Sequence, residues 1–86
     1  AGFAELGTAE GKALEQAMLE AARPYGLRVI GPNCVGVMVP GIGLNASFAH
    51  VAPAVGKLAF VSQSGALCTA ILDNVAGRGI GFSHFI

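Results

Sequence analysis

Charge is the scarcest feature of this sequence. Only 12% of its 86 residues are charged, five basic and five acidic, and the formal net charge is zero. A nucleic-acid surface shows as a basic excess on one face, so that class of function is excluded. No apolar run approaches the roughly 20 residues that a membrane-spanning helix needs. No basic start followed by a cleavable apolar segment suggests secretion. The two cysteines, Cys34 and Cys68, lack metal-ligand spacing and read as free thiols of a reducing compartment, a disulfide being the lesser alternative. There is no Gly-Lys-Ser/Thr phosphate loop, no internal repeat and no low-complexity segment. These absences describe a soluble, cytoplasmic chain without a metal site.

What is present is apolar. Hydrophobic residues make up 53% of the chain, and there are 13 glycines, about double the usual share. The length suits one small domain and is too short for two complete ones. So much apolar surface with so little interior needs strands covered on both faces, or a surface turned toward more protein. Self-association into a homo-oligomer is therefore expected.

The spacing predicts an alternation of helices and strands. Ala1 to Gly7 reads as a loop, and Thr8 caps a helix from about Ala9 to Arg23, with Glu10 in its positive first turn. Leu14, Ala17, Met18, Ala21 and Ala22 form its apolar stripe, and Pro24 and Gly26 end it. Leu27 to Gly31 reads as a short strand, and Val35 to Val39 as a second extended piece. Pro40 to Gly56 reads as a connector without periodic structure. Leu58 to Val61 is a buried-type strand, and Ala66 to about Ala76 is a helix apolar nearly all round, of the kind covered on two sides. The last strand, Ile80 to Ile86, alternates Phe82 and His84 with Ser83 and Phe85, and His84 is expected to be packed. Both ends of the chain are abrupt, so a piece of something longer is expected. The pattern is α/β with parallel strands.

Ligands of open parallel sheets gather beyond the carboxyl ends of the strands. Two loops fall there: Gly-Pro-Asn-Cys-Val-Gly (31–36) and Ser-Gln-Ser-Gly-Ala (62–66). The second runs from a strand straight into a helix. Its bare N–H groups at Gly65, Ala66 and Leu67, with the Ser64 hydroxyl, suit an anion, and Gly65 removes a Cβ from the approach. The plainer alternative is that Ser64 only caps the helix. A nucleophile elbow centred on Ser64 lacks its usual flanking glycines, and its only downstream acid and histidine are Asp73 and His84. Gly41-Ile-Gly-Leu-Asn-Ala46 has the form of a dinucleotide-binding turn without the helix that must follow. His50 reads as a surface residue.

Five motifs in order carry a resemblance. They are Ala-Gly-Phe-Ala-Glu (1–5), Arg-Val-Ile-Gly-Pro-Asn-Cys-Val-Gly (28–36), Gly-Leu-Asn-Ala-Ser-Phe (43–48), Val61 to Asp73, and Gly-Ile-Gly-Phe-Ser (79–83). Together they resemble the ADP-forming acyl-CoA synthetases (acetate–CoA ligases), relatives of the succinyl-CoA synthetase alpha subunit. The resemblance implies that residues 1–40 are the last part of a Rossmann-like CoA-binding domain, 41–56 a connector, and 57–86 the first βαβ of a flavodoxin-like ligase domain. It implies a reaction that interconverts acyl-CoA, phosphate and ADP with free acid, CoA and ATP, through a phosphorylated histidine and an ATP-grasp domain or subunit. Ser64, Gly65 and Ala66 then bind the phosphoryl group, which favours the anion reading over the cap. Asn33 and Cys34 line the substrate site. Thr69 stands where the succinyl-CoA synthetase alpha subunit has a substrate-binding tyrosine, which puts the acid specificity in question.

Neither His50 nor His84 matches the phosphorylated histidine, and the CoA-phosphate loop lies upstream in this family. The chain by itself is therefore expected to hold no cofactor tightly and to show no turnover. The same module is also fused to acetyltransferase domains of the GNAT type in protein lysine acetyltransferases. A regulatory, acyl-CoA-sensing role is the alternative, and a mere interaction surface is the third.

Overall fold

The computed structural model describes all 86 residues. It divides into two compact units, Ala1–Cys34 and Val35–Ile86.

The first unit is built on one helix. α1 spans Ala9–Ala22 and starts as the sequence predicts, with Thr8 Oγ1 accepting from the Gly11 N–H at 3.1 Å. A 3-10 turn, Ala4–Leu6, precedes it where a loop was expected, and the Ala4 N–H donates to Glu15 of the helix at 3.2 Å. This turn lies over the start of the helix. A Cβ on Gly11 would come within 2.2 Å of the Phe3 carbonyl oxygen, so only glycine admits the turn there. The Glu5 carboxylate accepts from the Gly2 and Phe3 amides at 2.7 and 3.3 Å. Desolvation alone would raise its pKa, but these backbone bonds and the N-terminal ammonium bring the net shift below the ordinary value. A second 3-10 turn, Arg23–Tyr25, ends α1, closed by Gly26 at φ 62°.

The strand expected at Leu27–Gly31 does not form; the segment has no ladder partner, and Leu27, Val29 and Ile30 are exposed. A lone extended segment without cross-strand hydrogen bonds has nothing to hold it as a strand. The Gly31–Pro32 bond is cis, and Asn33 adopts a left-handed conformation at φ 55°.

The second unit is a four-stranded sheet with one helix. β1 (Gly36–Val39) and β2 (Leu44–Ser47) form an antiparallel hairpin through a 3-10 turn, Pro40–Ile42. β3 (Ala54–Phe60), α2 (Gly65–Val75) and β4 (Gly81–Phe85) form a βαβ unit whose strands are parallel, as the α/β pattern predicts. The strand order is β2-β1-β4-β3, and β1 joins β4 antiparallel. The fold is thus mixed α/β rather than wholly parallel. Residues 41–56, expected to be without structure, hold part of the hairpin turn, all of β2 and the first residues of β3. Their pattern was too short and too exposed to read, since β2 buries no residue fully.

The core sits between α2 and the sheet. Met38, Cys68, Leu72, Phe82 and Phe85 are buried together, with Val35, Ala49, Phe60, Ile71 and Val75 packed around them. Phe60 stacks on Phe85 with ring centroids 4.8 Å apart, and Phe82 meets Phe85 edge-on at 5.1 Å. The β3–β4 register shifts around Leu58, with Phe82 opposite both Val55 and Leu58. That irregularity breaks the expected alternation in β4. Phe82 and Phe85 are the buried residues, and His84, expected to be packed, is exposed with Nδ1 3.2 Å from Ser83 Oγ. α2 is covered along one stripe, Cys68 and Leu72, while Leu67 and Ala70 remain exposed. Full cover on two sides was expected of it.

Candidate functional site

β3 ends at Phe60, and α2 begins at Gly65. Between them the main chain is pinned to the neighbouring strand: the Ile86 N–H donates to the Phe60 carbonyl, and the Ser62 N–H donates to the Ile86 carbonyl, both at 2.9 Å. The Ser62 hydroxyl then accepts from the Ser64 N–H at 3.0 Å, which curls the chain into the helix. Ser64, extended at φ −103° and ψ 107°, caps α2 by accepting from the Leu67 N–H at 3.3 Å. The first intrahelical bond runs from the Cys68 N–H to the Ser64 carbonyl, at 3.0 Å.

This accounting leaves two donors over. The amides of Gly65 and Ala66 have no acceptor within the chain, and Ser64 to Leu67 are all exposed. The Ser64 hydroxyl uses an oxygen lone pair in the cap and keeps its proton to give. Two aligned amides, a hydroxyl proton and the positive end of the helix dipole form an arrangement that suits an anion. The cap reading and the anion reading are therefore compatible, because the cap occupies one amide and leaves the others.

A Cβ on Gly65 would stand 3.0 Å from Val35 Cγ2, a contact that the valine side chain would have to relieve by a shift of a few tenths of an ångström. Thr69 lies one turn further along α2, half-buried, and its Oγ1 donates back to the Ala66 carbonyl at 3.0 Å and the Gly65 carbonyl at 3.3 Å. With its proton turned into the helix, Thr69 can offer a ligand only its methyl group and a lone pair.

Asn33 and Cys34 belong to the other unit, on the irregular segment that ends it. Both are exposed; the Cys34 thiol donates to the Ile30 carbonyl at 3.5 Å, and neither cysteine is in a disulfide. No triad assembles around Ser64: Asp73 is taken by His50, whose Nε2 lies 2.8 Å from Asp73 Oδ1. The sequence placed His50 at the surface but gave no sign of this pairing across 23 positions. No cluster of three metal-type side chains exists, and no helix is long and apolar enough to cross a membrane.

Residues 55–86, which hold nearly all of the βαβ unit, match the succinyl-CoA ligase like flavodoxin domain. Along its whole length the chain is also 51% identical to the alpha subunit of acetate–CoA ligase (ADP-forming) II of Pyrococcus furiosus. It is 45% identical to acetate–CoA ligase (ADP-forming) I of Archaeoglobus fulgidus, and 45% to 4-hydroxybutyrate–CoA ligase (ADP-forming) of Nitrosopumilus maritimus. A solved structure from Pyrococcus horikoshii OT3 superposes over the entire chain with a TM-score of 0.91 and 49% identity, the chain covering 19% of it. Along its whole length the chain is thus similar to parts of ADP-forming acyl-CoA ligases, and it spans only 12 to 18% of the length of the three relatives named.

Proposed function

We propose that this chain is part of an ADP-forming acyl-CoA ligase and that the first turn of α2 is a phosphate-binding turn of that enzyme. The observation that carries the reading is the pair of unpartnered amides at Gly65 and Ala66, in a βαβ unit of ligase type. The parent enzyme interconverts acyl-CoA, phosphate and ADP with free acid, CoA and ATP, the phosphoryl group travelling on a histidine that neither His50 nor His84 supplies. Residues 1–40 close its CoA-binding domain, 41–56 connect, and 57–86 open its ligase domain.

Each part of the turn has a defined task. The Gly65 and Ala66 amides donate to phosphate oxygens, and the helix dipole favours the charge they hold. Ser64 keeps the turn closed through its oxygen and donates through its proton. Ser62 holds Ser64 in place. These groups are fixed by β3, β4 and the cap before any ligand arrives, so little reorganisation accompanies binding. Asn33 and Cys34 line the acyl site in this reading, and Thr69 lines it with a methyl group. The substrate is a small carboxylic acid, in keeping with the acetate and 4-hydroxybutyrate ligases among the relatives. The partners are CoA, an ATP-grasp domain or subunit, and further copies of the chain; two relatives are themselves named alpha subunits. A cytoplasmic location fits the two unpaired cysteines.

The test is a titration of the chain with inorganic phosphate, followed through its amide NMR signals. Shifts concentrated at Ser64 to Leu67 are expected, with none at Thr8 to Gly11. A folded sample whose α2 amides do not move refutes the phosphate turn. The chain assayed with acetate, CoA and ATP is expected to give no product.

A further inference from the structure

We draw no further inference here: the strongest candidate, the unpaired edge of β3 with its exposed Val55 and Leu58, carries nothing because nothing in the structure shows what covers it.

Discussion

The two helices begin alike and end up different. Thr8 and Ser64 each accept a hydrogen bond from the amide three residues on, at 3.1 and 3.3 Å. At α1 the turn Ala4–Leu6 lies over the first turn of the helix, and Gly11 is buried against Phe3. At α2 nothing in the chain covers Ser64 to Leu67. A capping residue therefore does not make a binding site. What α2 has in addition is an exposed helix start whose remaining amides have no acceptor, fixed from behind by a sheet.

The energetic contrast between the units gives the largest expected effect. Leu72 is buried among aromatic residues, whereas Leu14 of α1 is 55% exposed. Leu72→Ala is expected to cost about 2–5 kcal/mol, the range for a buried leucine that leaves a cavity. Leu14→Ala is expected to cost less than about 1 kcal/mol, since little apolar area is lost to water. Urea unfolding monitored by circular dichroism checks both. Equal losses would mean that the unit Ala1–Cys34 has a core of its own that the exposure of its helix conceals.

Smaller effects probe the caps themselves. Thr8→Ala and Ser64→Ala are each expected to cost about 1 kcal/mol, the usual value of an N-cap. Their effects on phosphate should part company. Ser64→Ala removes both the cap and a donor, so the shifts at Gly65 to Leu67 should weaken several-fold, while Thr8→Ala leaves them unchanged. If the two variants weaken phosphate equally, the difference between the helix starts has no bearing on binding.

The elements that could be read from the sequence were those that carry their own local signals. Both helices announced themselves by a hydroxyl cap and an apolar stripe, and β3 and β4 by dense apolar runs. Leu27–Gly31 has the composition of a strand, but composition cannot supply the neighbouring strand that would accept its hydrogen bonds. β2 was missed for the opposite reason: its partner β1 exists, while its own residues stay exposed and look like a connector. The open donors at the first turn of α2 were legible because strand-to-helix junctions expose donors by rule. The role of Val35 at Gly65 and the pairing of His50 with Asp73 depend on distances between remote residues, and no local pattern encodes them.

Gly11→Ala sharpens the comparison from the α1 side. Alanine is the better helix former by about 1 kcal/mol, so α1 itself should gain. Its Cβ, however, would meet the Phe3 carbonyl, a backbone atom that cannot rotate away. The expected outcome is a helix that persists while Phe3 to Leu6 lift off, seen as faster amide exchange at Leu6 and Gly7, whose N–H groups donate within that turn. Overall stability should change by less than about 1 kcal/mol, the helix gain offsetting the lost turn. Unchanged exchange at both amides would show that the turn adapts, and that its cover over α1 is looser than its geometry implies.

Gly65→Ala carries the smallest expected effect on stability and decides why glycine stands at the open helix start. The methyl group would press on Val35 Cγ2 at 3.0 Å, a contact that a shift of a few tenths of an ångström relieves. Against that strain stands the reduced freedom of the unfolded chain, worth about 0.4–1 kcal/mol, so the net change should be within about 1 kcal/mol. Combining it with Val35→Ala separates two causes. If packing is the reason for glycine, the double variant should be more stable than the sum of the single effects predicts, and phosphate shifts should survive in all three proteins. If the anion itself needs the missing Cβ, phosphate binding should fall in Gly65→Ala and stay low when Val35 is also trimmed. The geometry favours the first outcome, because the methyl group would be directed at Val35, while the amides that await an acceptor belong to the main chain.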